Sequence, residues 1–111
     1  MKKVILDTNF ILSCLSFKID FIVETRKLVP NSTLSIMKGT LHELENKKLG
    51  NLALQILGEK KVNVIDSGDY VDNEILNLKG DYAVATNDKE LIKKLKFPII
   101  RNKQKKYLIL Q

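Results

Sequence analysis

Among its 111 residues the chain has one cysteine, one histidine and two prolines, and no apolar run approaches the roughly 18 to 20 residues that a membrane span needs. Cys14, being alone, can close no internal disulfide, and Cys14 with His42 falls short of the usual zinc ligand count. His42-Glu43-Leu44-Glu45-Asn46 lacks the second histidine of a zinc-protease helix, and no glycine-rich dinucleotide fingerprint or P-loop is present, which removes nucleotide-cofactor readings. Met1-Lys2-Lys3 runs straight into an aliphatic stretch with no cleavage site after it. The expectation is a cytoplasmic protein without membrane association, in which the sequon at Asn31-Ser32-Thr33 carries no meaning. The length suits one domain, residues 1–111, around one core.

Charge of one sign is missing from most of the chain. Residues 88–111 carry eight Lys or Arg against Asp88 and Glu90, so the whole net charge of +6 resides there, and the preceding 87 residues balance 11 basic against 11 acidic groups. A solvated surface is the ordinary explanation. A tract that attracts a polyanion is the sharper one, and nucleic acid is the commonest such partner. Its candidate contacts are Lys93, Lys94, Arg101, Lys103, Lys105 and Lys106.

What is there in quantity is short aliphatic runs. Residues 4–6, 33–37, 62–65, 82–85 and 98–100 are continuous apolar or β-branched runs, as expected for strands covered on both faces. Between them the period changes: Leu49, Leu52, Ala53, Ile56 and Leu57 fall on one helical face, Val71, Ile75 and Leu78 repeat the pattern, and Leu91, Ile92 and Leu95 do so again. Residues 10–15 and 19–28 also read as helices, the second closed by Pro30. Alternating strands and helices imply an α/β domain with a mainly parallel sheet between two helical layers. The expected arrangement is a three-layer α/β/α domain with five parallel strands in the order 3-2-1-4-5.

In such sheets functional groups gather at the carboxyl ends of the strands. Asp7 follows the first strand, Glu43 follows the second past Gly39-Thr40, Asp88 follows the fourth, and Asp72 opens the helix that feeds the fourth. Each acid has a local explanation. Thr40-x-x-Glu43 fits a capping box, Asp69-x-x-Asp72 puts Asp72 in a first helical turn, and Asp7 and Asp88 suit helix caps. Together the local explanations weaken, because four carboxylates on one rim, with no basic residue in their motifs, would raise one another's pKa unless a cation sat among them. Oxygen ligands favour a hard ion, Mg²⁺ or Mn²⁺. Such an ion makes hydroxide from water and stabilises a phosphodiester in transit. Asp7 then interrupts the aliphatic stretch VILDTNFIL as a metal ligand, with Asn9 positioning it or a bound water.

The segments VILDTNFIL, TLHELENKKLG, DYVDNEILNL, DYAVATNDKEL and FPIIRNKQKKYLIL resemble a PIN domain, the metal-dependent ribonuclease family of toxin nucleases and ribosomal-RNA processing factors. The likeness covers most of the chain and includes the order and spacing of the acids. The Asp-Thr-Asn-Phe start, the Glu-Leu-Glu segment and the Arg-Asn to Lys-Tyr tail look more like the ribosomal-RNA processing branch, in an archaeal or other prokaryotic member, than the toxin branch. The resemblance implies Mg²⁺- or Mn²⁺-dependent hydrolysis of RNA, with Asp7, Glu43, Asp72 and Asp88 as catalytic metal ligands and Asn9, Asn73 and Thr86 in support. It leaves room for a homodimer or a regulatory protein partner. One position departs: counting back from Ile75-Leu76, Asn73 stands where the family usually has an acid, so Asp72 or Glu74 compensates or the site is weaker. An inactive PIN-like domain that binds RNA or ribosomal particles is therefore the alternative, and a toxin-type PIN nuclease the next.

Two other classes share the length and element order. A response-regulator receiver needs an acidic pair after the first strand, where this chain has Asp7-Thr8-Asn9; Asp66, Thr86 and Lys103 would fit its other roles, but Glu43 would go unexplained. A haloacid-dehalogenase-type phosphatase needs Asp-x-Asp there.

Overall fold

A computed structural model describes residues 3–66, 68 and 70–111. The start at Met1-Lys2 and the cap expected at Asp69 lie outside the described residues. The chain order is β1 (Lys3–Leu6), α1 (Thr8–Ser16), α2 (Phe21–Leu28), β2 (Thr33–Met37), α3 (Lys38–Glu45), α4 (Gly50–Glu59), β3 (Asn63–Ile65), α5 (Val71–Leu76), β4 (Tyr82–Ala85), α6 (Lys89–Lys94), β5 (Ile99–Lys103) and β6 (Tyr107–Leu110).

These elements form one sheet in the order β3-β2-β1-β4-β5-β6. The first five strands are parallel neighbours in the expected 3-2-1-4-5 order, and the sheet is larger than expected by β6, which pairs antiparallel with β5. Val4, Ile5 and Leu6 are all fully buried because β1 lies in the middle with helices on both faces. Their side chains alternate between two cores. Val4 and Leu6 join Phe10, Ile11, Phe21, Ile22, Leu44 and Leu57 from α1 to α4. Ile5 joins Val71, Ile75 and Leu91 from α5 and α6. That division gives the three layers.

Two local details differ from the sequence reading, each for a chemical reason. The second helix begins at Phe21 because Asp20 caps it, its Oδ1 accepting the Val23 N–H at 3.1 Å. The capping box expected at Thr40 and Glu43 does not form: α3 starts two residues before Thr40 and has no side-chain cap. Thr40 is fully buried inside the helix, and Glu43 is left to reach across to another element.

Candidate active site

β1 ends in a carboxylate that the fold buries. Asp7 is only 4% exposed. Its N–H bonds Ala85 O at the end of β4 (2.9 Å), and its carbonyl accepts the Ile11 N–H that starts α1 (3.1 Å). Both side-chain oxygens are engaged, Oδ1 by the Thr8 N–H at 2.9 Å and Oδ2 by the Thr86 hydroxyl at 2.8 Å. Thr86 is itself fully buried, and its Oγ1 accepts the Asp88 N–H at 3.1 Å. One hydroxyl thus ties the end of β1 to the entry of α6. Asp88 caps that helix through Oδ1, which accepts the N–H groups of Glu90 and Leu91 at 3.0 and 3.3 Å. The cap expected there is real and coexists with a place at the cleft.

Glu43 arrives from α3. Its Oε1 lies 2.5 Å from Thr8 Oγ1, which in turn lies 3.1 Å from Thr40 Oγ1. Thr8 has a single hydroxyl proton, and the carboxylate is the stronger acceptor. Thr8 therefore donates to Glu43, and Thr40 donates to Thr8. Thr8 and Thr40 hold the acid in place; the sequence reading assigned Thr8 no role and Thr40 only that of a helix cap. The available signal was spacing: Thr40 is one helical turn before Glu43, and Thr8 directly follows Asp7.

Asp7, Asn9, Glu43, Asp72, Asn73 and Asp88 all line one cleft of about 370 Å³, with Thr8, Tyr70 and Val71. The four candidate metal ligands and both amides are brought to it. Glu74, the other acid named to compensate for Asn73, does not line it, and Thr86 supports it through Asp7. Burial pushes the Asp7 carboxyl up to about 6, with the charges of Asp72 and Glu43 adding to the rise against the bonds from Thr86 and Thr8. Asp72 is also raised, first by burial and then by the charges of Asp88 and Glu43, while Lys94 pulls it down. Asp72 is therefore electrically coupled to the other acids, and Asn73 brings a neutral amide to the cleft beside it. A basic residue does stand near the acids: Lys94, in the last turn of α6.

Among the described residues, no three carboxylate, imidazole or thiolate side chains converge to metal-ligand distance as placed. The donor set is nevertheless oxygen only, acidic and mutually repelling, which suits a hard cation. Mg²⁺ commonly keeps several waters and takes only one or two carboxylates directly. Asp7, Glu43, Asp72 and Asp88 are the residues that could hold it.

The basic residues are placed less uniformly. Lys93 pairs with Glu90 at 3.5 Å. Arg101 and Lys103 alternate with Asn102 along β5 and so share the face of Ile99, which packs in the α5–α6 core. Lys105 sits at the hairpin tip with its Nζ 5.5 Å from the Phe17 ring centroid, and Phe17 packs against the opposite core. Lys106 is exposed beside it. The tract divides between two sides of the sheet.

No protein-family model matches the chain. It is 35% identical over 126 aligned positions to Ribonuclease VapC4 of Methanocaldococcus jannaschii, across 96% of this chain and 95% of that one. The fold superposes on the PIN domain endonuclease Utp24 with a TM-score of 0.84 and 26% identity, covering 98% of this chain and 90% of the other.

Proposed function

The chain belongs to the PIN-domain nuclease family, and from that premise we propose that it is a ribonuclease dependent on Mg²⁺ or Mn²⁺ that hydrolyses phosphodiester bonds in unpaired RNA. The observation that carries this is the convergence of Asp7, Glu43, Asp72 and Asp88 on one cleft, with Asp7 and Asp72 raised by burial and by their neighbours' charge. A site that has to be that acidic has a use for a divalent ion.

When bound, the cation activates a water and neutralises charge on the scissile phosphate. The protein's part is orientation. Thr86 and the Thr8 N–H fix both oxygens of Asp7. Thr8 engages one oxygen of Glu43. Asp88 gives Oδ1 to the cap of α6, and its second oxygen takes no part in that cap. Lys94, within electrostatic reach of Asp72, holds a flanking phosphate. The ribosomal-RNA assignment rests on the Asp7-Thr8-Asn9-Phe10 start, the Glu43-Leu44-Glu45 segment and the tail from Arg101-Asn102 to Lys106-Tyr107.

Cleavage of an unpaired RNA oligonucleotide tests the reading. Activity with Mg²⁺ or Mn²⁺ is expected to disappear in EDTA and in Asp7→Asn, which removes the charge and keeps the shape, with the circular dichroism spectrum unchanged. Cleavage that survives either treatment overturns it. A second reading, a weak or inactive site that binds RNA without cutting, is favoured by Asn73, which brings an uncharged amide to the cleft beside Asp72. An amide oxygen can ligate Mg²⁺ but adds no charge. Asn73→Asp is therefore expected to tighten Mn²⁺ binding in calorimetry and raise the cleavage rate about tenfold, the effect of roughly 1.4 kcal/mol. No change leaves Asp72 as the sufficient third ligand.

A further inference from the structure

Tyr70 is the large apolar side chain that the fold leaves most open to solvent among the described residues, at 78% exposure, and it stands in the wall of the acidic cleft. Its backbone is not loose. The Tyr70 carbonyl accepts the Glu74 N–H at 3.1 Å to start α5, and the next residue, Val71, is buried in the α5–α6 core. An aromatic ring is thus held out in water from a pinned root. The other residues lining the cleft offer carboxylates, amides, a hydroxyl and a valine, so among the described residues Tyr70 supplies its one π-face.

We infer that Tyr70 is a stacking platform for one unpaired nucleobase of the substrate, next to the phosphodiester held by the acids, and that it makes the cleft selective for single-stranded over paired RNA. The inference rests on the nuclease reading above and adds to it what is recognised. A base in a duplex has both faces covered by its neighbours, whereas a splayed base can cover an exposed ring. Stacking tolerates any base, because each has a π-face. Tyr70 therefore sets the strandedness of the substrate and leaves its sequence open.

Binding is best read without cleavage, in the Asp7→Asn background with Mg²⁺ present, using a short single-stranded RNA, the same RNA with one abasic position moved along it, and a fully paired duplex. Tyr70→Ala is expected to weaken single-strand binding roughly 5- to 150-fold, Tyr70→Phe to bind as the parent does, and duplex binding to be equal in all three. An abasic substitution at one position should reproduce the loss in the parent and add nothing in Tyr70→Ala. Equal single-strand binding by parent and Tyr70→Ala overturns the stacking role while leaving the nuclease reading intact, as does a loss that is the same for duplex. If neither this background nor the chain with its native Asp7 binds or cleaves the RNA in Mg²⁺ or Mn²⁺, the nuclease reading falls and the stacking role with it.

Discussion

At the residue scale, the cleft is costly to the fold that carries it. Asp7 is held at about 6 against an ordinary 3.8, chiefly by burial. The folded chain thus binds this proton more tightly than the unfolded chain does. The stabilising contribution is complete below pH 3.8 and is lost as the pH rises through 6, a change on the order of 3 kcal/mol. Asn at this position carries no charge, and the Thr86 hydroxyl can turn to accept from its amide. In EDTA, Asp7→Asn should therefore be more stable than the parent at pH 7 by roughly that amount and about equal to it at pH 4. Denaturant melts of both proteins at the two pH values measure the difference. Equal stability at both values would mean that Asp7 is not held against its charge. The four acids were legible in the sequence because together they crowd one rim of the sheet with no basic residue in their local motifs to neutralise them. Their supports were not. A capping box and a cross-element bond to Thr8 use the same residues, Thr40 and Glu43, and only the start of α3 at Lys38 decides between them. Tyr70 was equally silent, since exposure is not written in a residue's identity.

At the element scale, α3 owes its position to a close approach. Leu49 enters α4 with φ 68°, and a Cβ on Gly50 would lie 1.8 Å from the Leu44 carbonyl oxygen. Only glycine allows the start of α4 to rest against the end of α3 there. Leu44 adjoins Glu43, so this approach fixes the helix that delivers an acid. Gly50→Ala should destabilise the protein by roughly 1–3 kcal/mol and lower cleavage more than a stability loss of that size explains, because Glu43 moves relative to Thr8. Thermal melts paired with cleavage rates well below the melting temperature separate the two effects; an unaltered rate would show that the approach serves stability alone. The elements most visible in the sequence were those with a continuous apolar run, β1, β2 and β4, and the α4 face with its plain helical period. β6 escaped as a strand for a chemical reason. The turn before it puts Gln104 and Lys105 in the left-handed region, at φ 54° and 57°, closed by the Lys106 N–H on Lys103 O at 3.2 Å. Neither residue is the Gly or Asn that normally marks such a hairpin. The basic tract read as a tail because its turn has no turn chemistry.

At the scale of the whole molecule, charge is separated as the reaction needs. The cleft is acidic, the first 87 residues are neutral, and all of the net +6 lies in residues 88–111. An acidic cleft alone repels a phosphate backbone, so the strand has to be held from outside it. Lys94 is the member of the tract whose charge reaches the cleft, through Asp72, whereas Arg101 and Lys103 on β5 and Lys105 near Phe17 lie on different sides of the sheet edge. The distant lysines and Arg101 should act without sequence preference, those that reach the strand each neutralising one phosphate. Replacing Arg101, Lys103, Lys105 and Lys106 with Gln is expected to weaken binding of all single-stranded RNAs alike. It should also flatten the plot of log affinity against log salt by about 0.7 for each phosphate that the variant no longer neutralises. Because the residues face two ways, a straight oligonucleotide cannot meet all four, so the change in slope should fall short of the value for four phosphates. Lys94→Gln should differ in kind. It frees a phosphate and also removes the charge that holds Asp72 down, so it should shift the pH dependence of cleavage upward as well as weaken binding. A quadruple variant with the parent's salt slope would return Arg101, Lys103, Lys105 and Lys106 to ordinary solvated surface. Lys94 with the Tyr70 wall would then be the whole of the RNA-holding face.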